Sequence, residues 1–459
     1  MKKDIFKIFS SNLIKMLVTF VTAFLVPMVL SVDDYGYYKV YTFYAAYIGI
    51  LHFGFCDGIY LDYGGKKESE IKTEQISRQL ATIFIFSGGL ALIALLWGIL
   101  RHDFTIVCLG LTVVPTIVYT FYSYVYQATG DFKKYTWMLN LSTMFNLLMN
   151  GILVLFKVRD YRAYIIVCII VQLISFLVGT FYFKKSGWIR KSSFSFDVLM
   201  NYIKMGILLM LGNFAYTLFI GIDKWFIKFT LGITEFSMYS FASQMLTVVN
   251  MFITPISMTL YSHLSRRKDH AFEVRIKRLL VTILMLMPVA IYAIMFIINV
   301  LMSKYNSAIS LVSLLLITQV FLSLNLTIFV NLYKIYKMQE TYMRSLLIAI
   351  SVAGALDFIV AILYPNAVLY SGATLISCLI WLGLNMNKFK YMIPSKKEAG
   401  YVAALLIAFI LLCMIHNLII CALLYLILYL ALTCILMNGE WNYAISQWEH
   451  IKEKGAKSK

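Results

Sequence analysis

The sequence contains few charged residues. Asp, Glu, Lys and Arg make up 14% of its 459 residues, whereas hydrophobic residues make up 61% and the mean hydropathy is +0.80. An ordinary soluble domain carries about a quarter charged residues. The shortage of charge therefore excludes a soluble globular protein. Apolar stretches of about 20 residues, each long enough to cross a bilayer as a helix, recur from end to end.

Sequence signatures of catalysis and of metal binding are also missing. The chain has no HExxH, GxSxG, P-loop or dinucleotide-binding motif, and its six histidines are scattered. The seven cysteines fall in apolar stretches without CxxC or Cys/His metal spacing, so we interpret them as packing or lipid-facing residues. No polar segment exceeds about 25 residues, which leaves no room for a soluble domain. We therefore expect no enzyme, no cofactor and no metal site.

The apolar stretches predict an all-α polytopic membrane protein with about fourteen transmembrane helices. The predicted spans are Ser11 to Leu30, Tyr38 to Leu61, Leu80 to Leu100, Thr105 to Tyr126, Tyr135 to Phe156, Ala163 to Phe183, Met205 to Ile227, Met238 to Tyr261, Leu279 to Met302, Ser307 to Val330, Ser345 to Tyr364, Ala367 to Met386, Tyr401 to Ile415 and Asn417 to Met437. The net charge of +18 comes from short basic clusters between spans, which suits the positive-inside rule better than nucleic-acid binding. Because about four-fifths of the Lys and Arg residues fall at the termini and in alternate loops, both termini should face the cytoplasm.

The two halves of the chain show a weak internal repeat. A shift of about 200 residues places Asn12 on Asn213 and the turn VDDYGYY on ITEFSMY. A slightly longer shift places Asn150 on Asp357. An even number of helices per half predicts parallel repeats related by an axis along the membrane normal. The predicted parts are an N-lobe with helices 1–6 and a cytoplasmic linker (1–203), a C-lobe with helices 7–12 (204–390), and helices 13–14 with an amphipathic cytoplasmic tail (391–459).

The turn SVDDYGYY combines acidic residues with a tyrosine stripe. Asp33 and Asp34 suit the N-terminus of the following helix, where they can cap it and complement its dipole. Tyr37, Tyr41 and Tyr44 lie on one face of that helix. Both an aromatic belt at the outer membrane interface and a carbohydrate-contacting face account for the stripe, and the sequence leaves both open.

The organisation resembles the oligosaccharide flippases of the multidrug/oligosaccharidyl-lipid/polysaccharide (MOP) exporter superfamily, the Wzx-type polysaccharide transporters. The resemblance rests on NLIKMLVTFVTAFLVPMVLSVDDYGYYKVYTFYAAYIGILHFGF (12–55), GDFKKY (130–135) and GIDKWFIKFTLGITEFSMYSFASQ (221–244), and it extends over nearly the whole chain. It implies two six-helix lobes around a central cavity, alternating access, and export of a polyprenyl-diphosphate-linked glycan repeat unit. Many relatives carry basic residues in the second helix, where this sequence has Asp57 and Asp62.

A cavity that passes such a substrate requires a few cations, hydrogen-bonding groups and aromatic faces. Charges inside spans cost about 2.5–3.5 kcal/mol on insertion scales, so they usually face water or a partner. The candidates for the substrate site or cavity are Asn12, Lys15, Asp57, Asn146, Asn150, Asn213, Asp223, Lys224 and Asp357.

Asp357 is the most distinctive of these candidates because it lies about 20 Å into its predicted helix. It either lines the cavity and couples a proton or cation, or bonds a structural partner. Asn146 and Asn150 lie one turn apart, which suits transport and interhelical hydrogen bonding equally. Lys15 either contacts the diphosphate or extends to the membrane interface.

Other functions remain open at this stage. A MATE-like multidrug or cation antiporter and a peptidoglycan lipid-precursor flippase would share the fold, although a multidrug exporter typically stops at twelve helices. A membrane glycan polymerase, by resemblance, would need a long external loop or an intramembrane His/Arg constellation. We further expect a bacterial cytoplasmic (inner) membrane location, a lipid-linked oligosaccharide substrate, H+ or Na+ as a coupling ion, contacts with polysaccharide assembly proteins, and no nucleic acid.

Overall fold

The computed structural model describes Val18 and residues 21–266, 269–413, 415 and 417–439. These residues form helices joined by short turns, with no β-strand among them. Residues 21–29 are helical and are labelled α1. The other α-helices are α2 (Val32–Ala45), α3 (Phe55–Tyr63), α4 (Thr73–Leu100), α5 (Phe104–Ala128), α6 (Phe132–Leu155), α7 (Tyr161–Lys185), α8 (Phe196–Thr230), α9 (Ile233–Arg266), α10 (His270–Leu284), α11 (Met287–Leu301), α12 (Ile309–Leu324), α13 (Val330–Ile335), α14 (Gln339–Leu363), α15 (Ala367–Lys388), α16 (Lys396–Leu412) and α17 (Leu418–Leu436).

Ten segments of the described chain are long and apolar enough to cross a membrane. Two of them combine consecutive elements, α10 with α11 and α12 with α13. Apolar side chains on the helices face outward, such as Ile93 at 66% and Leu208 at 79% exposure, as expected of helices surrounded by lipid. The predicted class, an all-α polytopic membrane protein, is confirmed, but the predicted count of fourteen helices is not.

The second predicted span is broken. A 3-10 turn at Ile48–His52 separates α2 from α3. Phe53 and Gly54 follow it with positive φ angles of 50° and 88°, and residues in this left-handed conformation end a helix. The prediction of one continuous helix from Tyr38 to Leu61 was therefore wrong. The break is hidden from hydropathy because the residues through it are mostly apolar.

The acidic turn forms the N-terminus of α2. The Ser31 hydroxyl accepts a hydrogen bond from the backbone N–H of Asp34 at 3.1 Å and caps the helix. Asp33 and Asp34 lie in the first turn, where negative charge complements the helix dipole. Tyr41 is buried, whereas Tyr37 is 43% exposed, so the tyrosine stripe belongs partly to the core and partly to the surface.

Contacts within the chain divide it into two compact units, Met1–Thr217 (unit 1) and Leu218–Lys459 (unit 2). The boundary falls inside α8, whose first part belongs to unit 1 and whose last part belongs to unit 2. The predicted amphipathic tail after Gly439 lies outside the described residues.

In unit 1, α3 crosses α8 at a contact between backbones. A Cβ atom added to Gly206 would lie 2.0 Å from the carbonyl oxygen of Gly54. A Cβ atom added to Gly58 would lie 2.2 Å from the carbonyl oxygen of Tyr202. Since the facing atoms are backbone, only glycine allows the two helices to approach this closely.

The GDFKKY motif of unit 1 forms an ion-pair cluster. The Lys134 ammonium donates to the Glu68 carboxylate at 2.9 Å and to the Ser186 hydroxyl at 3.2 Å, and it lies 3.1 Å from the Asp131 carboxylate. Asp131 also caps α6 by accepting a hydrogen bond from the Lys134 backbone N–H. The motif therefore ties the start of α6 to the α3–α4 loop and to the end of α7.

In unit 2, the last two described helices are anchored to α10 and its neighbours. The buried Lys277 ammonium lies 2.7 Å from the Glu398 carboxylate and donates to the Met392 carbonyl at 2.9 Å. The Tyr425 hydroxyl of α17 donates to the Met285 carbonyl at 2.8 Å. In each of these contacts both residues contribute a polar atom, and polar contacts of this kind favour helix association in lipid.

Candidate functional site

Asp223 lies near the end of α8, inside unit 2, and is 3% exposed. Its carboxylate accepts hydrogen bonds from the Tyr239 hydroxyl of α9 and, at 3.0 Å, from the Thr374 hydroxyl of α15. The backbone N–H of Lys224 donates to it at 2.7 Å. Three donors from three helices therefore fix the orientation of this buried carboxylate.

Asp357 on α14 is 1% exposed, and neither of its carboxylate oxygens has a hydrogen-bond partner among the described residues. Gly354, almost one turn earlier, lies close to α8, since a Cβ atom there would lie 3.2 Å from the end of the Ile222 side chain. Asp223 and Asp357 are close enough for their charges to repel each other. We call Asp223, Lys224, Tyr239, Asp357 and Thr374 the carboxylate site.

The carboxylate site offers oxygen atoms to a small cation. With both carboxylates ionised and Lys224 protonated, the site carries one net negative charge, because Lys224 interacts electrostatically with Asp223 and balances one of the two carboxylates. A buried carboxylate without a partner is costly unless a proton or a cation neutralises it. One proton or one monovalent cation balances the charge. Carboxylate and hydroxyl oxygens are also the ligand atoms that hard cations prefer.

The contact between Tyr239 and Asp223 gives a first prediction. Tyr239→Phe is expected to lower the free energy of unfolding by about 1.5–3 kcal/mol, because a hydrogen bond to a charged group is lost. Thermal unfolding in detergent measures it. Tyr292→Phe is the matched control: Tyr292 is also a buried tyrosine of unit 2, but within the described residues its hydroxyl makes no hydrogen bond to a charged group. Equal losses in both variants would contradict the prediction.

The predicted polar stripe on α6 is present in unit 1. The Asn150 amide donates to the Asn146 carbonyl at 2.9 Å, and its side-chain NH₂ lies 3.3 Å from the Asn146 side-chain oxygen. Asn150 is 3% exposed, and its own side-chain oxygen has no partner within the described part of the chain. Both bonds run within one helix, so they do not link α6 to a neighbour.

The other predicted candidates lie in different surroundings. Asp57 is buried in unit 1 beside His52, which the sequence did not single out. Asn213 is exposed on α8, and its backbone carbonyl accepts a bond from the Thr217 hydroxyl. Asn12 and Lys15 lie outside the described residues. Of the nine candidates, the structure brings Asp223, Lys224 and Asp357 into one site.

Several buried polar residues, among them two of the carboxylate site, were missed at the sequence level. Tyr239 and Thr374 give no signal because tyrosine and threonine are common in apolar spans. Buried amides in unit 2 did give a signal in the sequence, since an amide side chain inside a span is costly unless it is hydrogen-bonded. The Asn385 amide donates to Asn325 at 2.8 Å, and the Tyr333 hydroxyl donates to Asn385 at 3.0 Å. Asn325 begins a π-helical turn, Asn325–Phe329, which interrupts the regular helix between α12 and α13.

The chain is similar to a known protein family in sequence and to solved transporter structures in fold. The family model described as "Polysaccharide biosynthesis protein" matches residues 1–268. No curated protein matches the sequence. Among solved structures, "Lipid II flippase MurJ, inward closed conformation" shares 14% identity with a TM-score of 0.69, over 95% of this chain and 98% of that one. An inward-facing multidrug resistance MATE family transporter of the MOP superfamily shares 11% identity with a TM-score of 0.48, over 82% and 98%.

Proposed function

The chain belongs to the polysaccharide biosynthesis protein family, and from this premise we propose that it is a flippase for a lipid-linked oligosaccharide, driven by a cation that binds at the carboxylate site. The resemblance to flippases of the MOP superfamily, noted from the sequence, is confirmed by the family model and by the fold shared with a lipid II flippase. The family and the fold are those of transporters and not of enzymes.

The proposal that ion binding is coupled to transport rests on Asp357. A carboxylate held for structure alone is expected to have hydrogen-bond donors, as Asp223 has. Asp357 is buried on a membrane-spanning helix and lacks such donors among the described residues. A ligand that comes and goes supplies the missing compensation, and the uncompensated charge of the site matches a single H+ or Na+.

The residues of the site fit such an ion. Asp357 offers two carboxylate oxygens without partners in the described chain, and Asp223 supplies a second carboxylate that interacts with it electrostatically. The Thr374 and Tyr239 hydroxyls hold Asp223 in place and can turn their oxygen lone pairs to the same ion. When bound, the ion neutralises the site. The packing of α8 against α14 is then favourable only while the site holds a proton or a cation.

We propose as substrate a polyprenyl-diphosphate-linked oligosaccharide repeat unit for surface polysaccharide such as capsule or O-antigen. The family description supports the glycan part of this substrate, and the apolar exterior places the chain in the membrane, where a lipid carrier would also lie. The proposed setting is the bacterial cytoplasmic membrane, with both termini cytoplasmic, as the distribution of basic residues favours. Contacts with polysaccharide assembly proteins belong to the same proposal.

Reconstitution tests the proposed function. Purified protein in vesicles with a defined polyprenyl-diphosphate oligosaccharide is expected to expose the sugar at the opposite face, at a rate that depends on an imposed H+ or Na+ gradient. A membrane-impermeant sugar-modifying reagent measures the exposure. If the rate of sugar exposure depended on neither the H+ gradient nor the Na+ gradient, the carboxylate site would have no role in ion coupling. Movement of a cationic drug, or of a peptidoglycan precursor in place of the oligosaccharide, would assign one of the two alternative functions.

A gene deletion distinguishes transport from synthesis. Without the protein, cells are expected to lose surface polysaccharide and to retain the complete lipid-linked unit on the cytoplasmic side. Extraction of the lipid fraction and analysis of its glycans measures this. Loss of the lipid-linked unit itself would point to an enzyme of its assembly.

A further inference from the structure

The break between α2 and α3 contains two buried titratable side chains that the proposed function does not use. His52 is 4% exposed and ends the 3-10 turn, and Asp57 is 2% exposed in the first turn of α3. The His52 Nε2 atom lies 3.7 Å from a carboxylate oxygen of Asp57. Both residues belong to unit 1, apart from Asp223 and Asp357 of unit 2.

A backbone hydrogen bond sets the protonation of the imidazole ring. The backbone N–H of Gly54 points at the Nδ1 atom of His52 at 3.0 Å. A backbone N–H can only donate, so Nδ1 must accept and carry no hydrogen. The neutral ring then carries its hydrogen on Nε2, facing Asp57. An imidazolium has hydrogens on both nitrogens and would lose the Gly54 bond, so His52 is neutral while the break keeps this conformation.

The groups that face Asp57 do not supply a positive charge. α5 presents Tyr124, and α3 itself presents Cys56. From α8, the Tyr202 hydroxyl donates to Asp62 instead. α4 contributes Gln79, whose amide bonds Tyr63 and Tyr202. Within the described part of unit 1, no ion pair links Asp57 to a lysine or arginine. An ionised Asp57 beside a neutral His52 would therefore be buried without a cation partner, and its own backbone N–H and the N-terminus of α3 offset only part of that cost.

We propose that His52 and Asp57 form a proton-binding site of unit 1, in which Asp57 carries the proton while the break keeps this conformation. Opening the break to water lets the proton pass from the Asp57 carboxyl group to a water molecule, because a hydrated carboxyl group is ionised at neutral pH. Closing takes one proton up again. The closed break is thus favoured by acid, and the ratio of open to closed forms changes by up to about tenfold per pH unit for one linked proton.

Backbone packing makes this site sensitive to small movements. Gly54 supplies the N–H that holds His52, and it lies against Gly206 of α8 without room for a side chain. Displacement of α3 relative to this part of α8 therefore disturbs the Gly54 bond and the approach of His52 to Asp57 together. The protonation state of Asp57 therefore depends on the position of α3 within unit 1 and also influences that position.

Cys56 provides a reporter next to the site. It is fully buried and adjacent to Asp57, with its sulfur 3.9 Å from the Ile117 carbonyl. In the full-length chain in vesicles, the six other cysteines are replaced with alanine: Cys108, Cys168, Cys378, Cys413, Cys421 and Cys434. The labelling rate of Cys56 by a small water-soluble methanethiosulfonate is measured from pH 5 to pH 9. Each rate is divided by that of the same chain carrying Asp57→Asn, which removes the intrinsic pH dependence of the thiol; the direct effect of the Asp57 charge on Cys56 opposes the expected rise and cannot produce it.

The ratio is expected to rise at least tenfold across this range, because ionisation of Asp57 opens the break in the parent and not in the uncharged variant. A flat ratio would overturn the proposal. Thermal unfolding verifies that Asp57→Asn is folded, and Asp57→Ser replaces it otherwise, since either variant removes the titration. Labelling needs no glycolipid, so its outcome is independent of the proposed transport function.

His52→Asn is the matched variant for the other partner. The asparagine oxygen can accept the Gly54 N–H in place of Nδ1 but cannot titrate. The pH dependence is expected to persist and to grow at pH 9, because ionised Asp57 loses the Nε2–H group that faces it. Loss of the pH dependence in His52→Asn, together with its persistence in Asp57→Asn, would place the proton on His52 and contradict the proposal.

Discussion

Replacing Asp357 with asparagine is expected to slow exposure of the lipid-linked oligosaccharide by roughly a hundredfold while the amount of protein in the membrane stays the same. A charge inside a span costs about 2.5–3.5 kcal/mol, which is the free energy that ion binding can return to transport, and about 1.4 kcal/mol corresponds to a tenfold change in rate. Asparagine keeps the size of the side chain but can neither bind a proton nor neutralise a cation. The vesicle assay, with the ion gradient imposed, measures the change.

Stability separates this coupling role from a structural one. Neither Asp357 oxygen has a hydrogen-bond partner among the residues described, so removal of the charge breaks no bond and ends a costly burial. The thermal midpoint of Asp357→Asn should therefore equal or exceed that of the parent. A structural carboxylate would instead give a lower midpoint together with the loss of transport.

A matched control uses an aspartate outside the site. Asp160 is exposed and caps α7 by accepting a hydrogen bond from the Arg162 N–H at 2.9 Å. Asp160→Asn keeps the cap, because asparagine is an equally good N-cap residue. Its transport rate should match the parent. Normal transport in Asp357→Asn, or an equal loss in Asp160→Asn, would remove Asp357 from the coupling mechanism.

The sequence located Asp357 and Asp223 because a charge inside an apolar span is visible without a structure. Their approach to each other was not predictable, since it depends on how α8 and α14 pack at Gly354. Thr374, which holds Asp223, resembles many other threonines in spans. Hydropathy alone finds the helices and the isolated charges, whereas the partners of those charges come from packing between helices.

The break after α2 shows a second limit of hydropathy. The run from Ile48 to Phe55 is apolar apart from His52, and its two glycines were the only sign of an interruption. The left-handed conformation of Phe53 and Gly54 gives α3 a separate start. That start brings Asp57 back against His52, so the partner of Asp57 could not be deduced from a continuous helix.

The glycine contact between α3 and α8 leads to the second large effect: Gly206→Ala is expected to lower the free energy of unfolding by about 3 kcal/mol or more. Overpacking of a well-packed interior typically costs about 1–3 kcal/mol, when side chains can move aside. Here the new methyl group would meet the Gly54 carbonyl oxygen at 2.0 Å and the Gly58 nitrogen at 2.2 Å. Both are backbone atoms of the break and of α3, so relief requires the whole helix to shift.

Gly151→Ala is the control for this prediction, because a Cβ atom on Gly151 of α6 would meet nothing within 4 Å. Removing a glycine from a helix interior without a clash is expected to stabilise the protein by roughly 0.5–1 kcal/mol. Thermal unfolding of both variants in one detergent gives the comparison. If the two alanines had similar effects, α3 would not be held against α8 by backbone contact. The pH-dependent position of α3 would then lose its mechanical basis, although proton binding at Asp57 would remain to be judged by the labelling experiment.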